Sequence, residues 1–127
     1  MPKRHVEAAQ DRGVLVLTIQ DDELHSDPIA EALRQDLLAE IRQSGLKKLV
    51  LDFQKVRFIT TIGFQPLLSV RRKVNELGGQ LLICELSPTV KEVFEVTRLI
   101  STKPSVLAAF DHEDKREDAI ARLSQSD

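Results

Sequence analysis

Apolar residues along the chain alternate between short continuous runs and longer stretches with helical spacing. Val14 to Ile19 is an apolar, β-branched run that follows the turn-like Asp11-Arg12-Gly13, and it predicts a strand. The weaker run Val6-Glu7-Ala8-Ala9 before that turn could pair with it as a hairpin. Asp27-Pro28 then gives an N-cap and a first-turn proline, and Ile29, Leu33, Leu37 and Ile41 recur on one face until Ser44-Gly45. That pattern predicts an amphipathic helix. Leu46 to Phe53 ends in a nearly continuous apolar run, as expected of a strand buried on both faces of a parallel sheet. A second helix should follow Val56-Arg57-Phe58-Ile59, on Phe64, Leu67, Leu68, Val74 and Leu77, with Gly78-Gly79 as its stop. Pro66 predicts an irregular start for it, between Thr61 and Gln65.

Gln80 to Cys84 predicts another buried strand, and Ser87-Pro88 a capped short helix carrying Val90, Val93 and Phe94. From Arg98 to Lys103 the pattern weakens. Val106 to Phe110 is expected as a last strand, Asp111 to Leu123 as a terminal helix with Ala119, Ile120 and Leu123 inward, and Ser124 to Asp127 as a frayed end. Strands alternating with helices and short connections give an α/β domain with helices packed on a sheet. No internal repeat interrupts the pattern.

At 127 residues the length suits one domain over 1–127, with its core at about 14–123. A 42% apolar, 30% charged composition is globular, and a net charge of −2 leaves no basic footprint for nucleic acid. The aromatic residues are five phenylalanines, too few to offer stacking platforms to single strands. No run approaches the roughly 20 apolar residues of a membrane span, and none of signal-peptide length follows Met1-Pro2-Lys3-Arg4-His5, so a cytoplasmic protein is expected.

The polar residues form no recognisable catalytic constellation in the sequence. His5, His25 and His112 lie far apart without metal-ligand spacing and are expected as solvated surface residues. Cys84, the single cysteine, sits behind Leu81-Leu82-Ile83 and should be a buried structural thiol. Asp21-Asp22 and Asp52 superficially resemble the acidic pocket of a receiver domain. The later strand is followed by Glu85-Leu86 and supplies no lysine, so these carboxylates are expected to be solvated or to cap turns. With no metal cluster, nucleophile pair or phosphate loop, neither a cofactor nor an enzymatic role is expected.

The loop Phe58-Ile59-Thr60-Thr61-Ile62-Gly63 is more informative, because it sets two hydroxyls between a strand and a helix. They could simply cap the helix. Alternatively, a phosphate on Thr61 would add about −1.5 to −2 charges at a helix N-terminus, a site that tolerates an anion while altering what a docked partner meets.

Taken in order, Leu49-Val50-Leu51-Asp52-Phe53, Val56 to Gly63, Gly78-Gly79-Gln80-Leu81 and Leu86-Ser87-Pro88-Thr89-Val90 resemble the STAS family, anti-sigma factor antagonist type, from about Val14 to Leu123. The central block of that family typically reads as a strand ending Asp-Leu, a hydrophobic pair, Asp-Ser, a small residue and Gly. Asp52, Phe58-Ile59 and Gly63 match, Thr60 stands at the usual Asp, Thr61 at the usual phosphorylated Ser, and Ile62 at the small residue. A further family pattern, Gly, any residue, apolar, Asp, is kept only at its apolar position by Asp22-Glu23-Leu24-His25.

The resemblance implies a mixed sheet of about four to five strands flanked by about four helices. It also implies a partner-switching regulator that binds an anti-sigma factor kinase or related regulator when unphosphorylated and releases it when Thr61 is phosphorylated. Thr60, Thr61, Ile62, Gly63 and Phe64 are the partner-binding positions carried over from the family. The alternative within the family is a STAS subunit of a membrane transport complex that regulates its ATPase subunit, and assembly with further STAS domains, alike or different, is open.

Overall fold

In a computed structural model, residues 5–96 and 110–125 are described. Strand β1 (Val6–Asp11) and β2 (Val14–Ile19) form the hairpin expected from the Asp11-Arg12-Gly13 turn. Arg12 and Gly13 both take positive φ, 53° and 80°, as a two-residue turn matched to right-twisted strands requires. Short β3 (Glu23–Leu24) precedes helix α1 (Asp27–Ser44), which Gly45 ends in the left-handed conformation. The cap of α1 is Ser26, one residue earlier than the sequence suggested, and makes no side-chain cap bond. Its carbonyl accepts the Ala30 amide at 2.9 Å. Pro28 fits one place further in, since first-turn amides have no helical acceptor.

Strand β4 (Lys48–Asp52) follows, then β5 (Phe58–Ile59), a 3-10 turn (Thr61–Gly63), α2 (Phe64–Glu76), β6 (Gln80–Cys84), α3 (Pro88–Val96), β7 (Asp111–Glu113) and α4 (Arg116–Ser124). The main sheet is ordered β1-β2-β4-β6-β7, with β1 antiparallel and the other pairs parallel. A second sheet, unexpected from the sequence, joins β3 to β5 in parallel.

Both faces of the main sheet are covered, which explains the continuous apolar runs. Leu15, Leu17, Leu49, Leu51 and Ile83 face a core shared with Leu33 and Leu37 of α1, Leu67 and Val70 of α2, and Phe94 of α3. Val14, Val16, Val50, Leu82 and Cys84 share the opposite core with Ala119, Ile120 and Leu123 of α4. The inward face expected for the terminal helix is therefore present.

The last strand differs from the expectation. Asp111–Glu113, expected as the start of the terminal helix, pairs with β6 instead, and α4 begins only at Arg116. Positions 106–109 of the expected strand lie outside the described residues, as do Arg98 to Lys103 and the last two residues. A three-residue strand at the sheet edge needs no apolar alternation, so Asp-His-Glu left no strand signature.

Candidate docking loop

The loop is held from three sides. At the end of β4, Asp52 Oδ1 accepts the Gln54 amide at 2.8 Å and turns the chain. The amides of Arg57 and Phe58 then donate to the Asp22 carbonyl at 2.7 and 3.2 Å, and the Thr60 amide donates to the Leu24 carbonyl at 3.0 Å. Beyond Thr60 the 3-10 turn closes through Gly63 N–H to the Thr60 carbonyl at 2.9 Å. Helix α2 thus starts irregularly, as Pro66 predicted. The proline lies in its first turn, where no amide hydrogen is missed.

Beneath the loop is an aromatic cluster. Phe64 packs edge-on to Phe94 with ring centroids 4.9 Å apart, and Phe94 in turn contacts Phe53 and Phe110 at 5.7 and 6.3 Å. Four of the five phenylalanines are thereby buried in one place. The fifth, Phe58, is 43% exposed on β5, with the ring of His25 at 6.2 Å.

The five loop positions carried over from the family are contiguous but have different surroundings. Thr61 is exposed, and its carbonyl is one of two that accept the Phe64 amide. Ile62 is half-buried. The Thr60 hydroxyl is buried and without a partner among the described residues. Neither threonine uses its side chain as a helix cap. Gly63 is buried because its neighbours come too close for a side chain: an added Cβ would lie 2.5 Å from the Leu24 carbonyl oxygen and 2.8 Å from Ile59 Cγ1. Phe64 is 4% exposed and supports the loop from below instead of facing outward. The neighbouring surface formed by Phe58 and His25 has no sequence signature, because β3 and β5 are too short to show a period.

Asp52 caps its turn, one of the two uses expected of it, and is fully buried, with Arg116 Nη1 at 3.3 Å and the Gln54 side-chain amide at 3.3 Å. Asp21 is also buried, and its Oδ2 lies 2.7 Å from His5 Nδ1, so His5 is a partly buried tether of the N-terminal strand and not a solvated residue. In both cases a partner distant in sequence replaces water, which single-sequence polarity cannot reveal. His25 does lie at the surface, 2.9 Å from Glu23. Cys84 is buried as expected; desolvation, and then the Asp52 carboxylate, push its thiol pKa far up.

Among the described residues, no group of three His, Cys, Asp or Glu is placed to hold a metal ion, and no helix is long and apolar enough to cross a membrane. The loop presents the exposed Thr61, and β5 the exposed ring of Phe58.

The profile of the STAS domain family matches residues 5–109. The chain belongs to the STAS domain family. A candidate anti-sigma factor antagonist of Bordetella bronchiseptica, BtrV, is 35% identical over 92 residues, which cover 72% of this chain and 77% of BtrV. Among solved structures, a candidate anti-sigma factor antagonist of Thermotoga maritima superposes with a TM-score of 0.76 at 13% identity, over 94% of this chain and 95% of the other. The anti-sigma factor antagonist SpoIIAA in its unphosphorylated form gives 0.66 at 20% identity, over 94% and 98%. SpoIIAA in its phosphorylated form gives 0.64 at 21%, over 93% and 98%. These likenesses bear out the STAS-like α/β fold with its five-stranded mixed sheet and four helices.

Proposed function

We propose that this STAS domain is a partner-switching antagonist whose Thr60-Thr61 loop docks on a kinase-type anti-sigma factor, and that phosphorylation of Thr61 blocks the docking. The observation that carries the reading is the state of the Thr61 side chain. Helix capping is the ordinary use of a hydroxyl at this place, and Thr61 is not used for it; it is exposed at the start of the turn leading into α2. A phosphate there would sit near a helix N-terminus, where negative charge is favourable by about 0.3–1 kcal/mol, so the modification leaves the fold in place. It would change the surface that a partner meets, beside the exposed ring of Phe58. The relationship to BtrV and the fold shared with SpoIIAA support the same role.

The test is incubation of the full chain with its cognate anti-sigma kinase and ATP, followed by mass spectrometry and a binding measurement. Phosphate is expected on Thr61, Thr61→Ala should accept none, and Thr61→Glu should bind the kinase at least tenfold more weakly. Phosphate on another residue at an undiminished rate in Thr61→Ala would overturn the assignment. The transport-complex alternative requires an ATPase subunit as partner, and co-purification with such a subunit in place of a kinase would select it.

A further inference from the structure

The main sheet ends in β1 on one side and β7 on the other, and each has a neighbouring strand on one flank only among the described residues. Such an edge invites a further strand unless shortness, charge, proline or a bulge blunts it. β7 is blunted, with three residues of which Asp111 and Glu113 are acidic. β1 is not. It runs for six residues without lysine or proline and pairs with β2 in unbroken register from Val6 to Asp11, so no bulge turns it away. Helix α1 leaves it open as well, since a recess of about 340 Å³ lies between Ala8, Ala9 and Gln10 of the strand and Glu40, Gln43 and Ser44 of the helix. The ladder with β2 fixes which backbone groups point outward. The Gln20 amide donates to the His5 carbonyl at 2.9 Å, so His5 bonds inward. Antiparallel strands alternate, which sends Glu7, Ala9 and Asp11 inward too and directs the N–H and C=O of Val6, Ala8 and Gln10 away from β2. Among the described residues, none of these three bonds to another element.

We infer that β1 is an interface between two copies of this chain, which pair their β1 strands antiparallel about a twofold axis at Ala8. In that register Ala8 meets its own copy and Val6 meets Gln10, and each of these outward-pointing pairs exchanges both backbone bonds. Charge selects the same register. Sliding one copy by two residues in one direction sets Glu7 opposite its own copy, and sliding it in the other sets Glu7 opposite Asp11, both like-charged pairs. The central register instead sets Glu7 opposite Ala9 and Asp11 opposite His5, and it makes more backbone bonds than either neighbour. The contact between two strands of this length falls at the low end of interface sizes, so the dimer is a reversible one.

In analytical ultracentrifugation the full chain should be monomeric at micromolar concentration and increasingly dimeric towards millimolar. Over the same range hydrogen exchange at the Val6, Ala8 and Gln10 amides should slow, while that of Ala9, already bonded to β2, should not change. Ala9 is exposed, so its substitutions read the register without disturbing the core. Ala9→Glu places like charge against Glu7 of the second copy and should weaken dimerisation several-fold; Ala9→Lys places opposite charge there and should strengthen it several-fold. Ala8→Pro removes an outward N–H that the β2 ladder does not use and should abolish the dimer, with circular dichroism to verify the fold. Thr61→Ala should dimerise as the parent does, which separates this interface from the proposed switch. A chain still monomeric at millimolar concentration, its edge left to a strand of some other protein, would overturn the proposal. So would a dimer indifferent to both Ala9 substitutions, or one in which exchange at the Ala8 amide does not slow.

Discussion

Replacing Gly63 with alanine tests whether close packing between the loop and β3 fixes the loop. Gly63 has a negative φ, −67°, so alanine there meets no left-handed backbone penalty. The obstacle is space. An added Cβ would stand 2.5 Å from the Leu24 carbonyl oxygen, about 0.9 Å inside the 3.4 Å at which ordinary contact begins. This same oxygen accepts the Thr60 amide at 3.0 Å. If β3 withdraws far enough to admit the methyl group, that hydrogen bond lengthens past its useful range. Overpacking costs about 1–3 kcal/mol and the lost bond about 1 kcal/mol, giving about 2–4 kcal/mol in all. At about 4 °C per kcal/mol for a chain of this length, Gly63→Ala should melt roughly 8–16 °C below the parent. Differential scanning calorimetry measures the shift, and amide exchange should show protection lost at Thr60. Gly13→Ala is the control: its Cβ would meet nothing within 4 Å, so only the cost of a positive φ remains and Thr60 protection should be unchanged. A melting shift under 3 °C for Gly63→Ala, with Thr60 still protected, would refute the steric account.

Two further predictions concern the opposite face of the sheet. Arg116→Ala leaves the fully buried Asp52 with only its Gln54 contacts and should cost about 2 kcal/mol, discounted because Arg116 is 37% exposed, whereas Asp52→Asn should cost less. Urea denaturation of the two variants ranks them, and the reverse order would show that the ion pair does not hold α4. Cys84 has its pKa raised in the folded chain, chiefly by burial, so its stabilising contribution is complete below the unfolded thiol pKa of about 8.5. That contribution is lost as pH rises, when the unfolded thiol ionises and the folded one does not. Labelling with a thiol-reactive disulfide at pH 8 should proceed at the unfolding rate, and fast labelling under native conditions would contradict the burial.

The sequence made most of the layered architecture legible, for reasons that can be traced to particular residues. The runs Val14 to Ile19, Leu49 to Phe53 and Leu82 to Cys84 are buried on both faces of one sheet and so appear as continuous apolar blocks. Helix α1 was marked at both ends, by Pro28 in its first turn and by Gly45, whose φ of 68° suits glycine. Legibility failed where pairing depends on a partner far away in the chain. The β3–β5 pair has two residues per strand, too few for any period, and depends on carbonyls of Asp22 and Leu24 meeting amides more than thirty positions later. His5 reads as solvated, and Asp21 and Asp52 as solvated or turn-capping, because polarity marks what a side chain needs, not where it obtains it. Arg116, sixty-four residues from Asp52, supplies one of those partners.

The choice between the two loop hydroxyls follows from the same packing. Thr60 is extended, with φ −114° and ψ 178°, its amide tied to Leu24, its carbonyl to Gly63, and its hydroxyl buried. A phosphate on that oxygen would bring close to two negative charges out of water, at a cost of several kcal/mol, unless β3 and β5 separated. Thr61, one residue on, is exposed, and the same group there keeps its hydration. Under the proposed switch, the burial of the Thr60 hydroxyl would favour Thr61 as the acceptor without any contribution from a kinase's own sequence preference. Opening the β3–β5 pair, as Gly63→Ala is expected to do, should weaken that discrimination, so phosphate appearing on Thr60 in that variant alone would trace the selectivity to the fold.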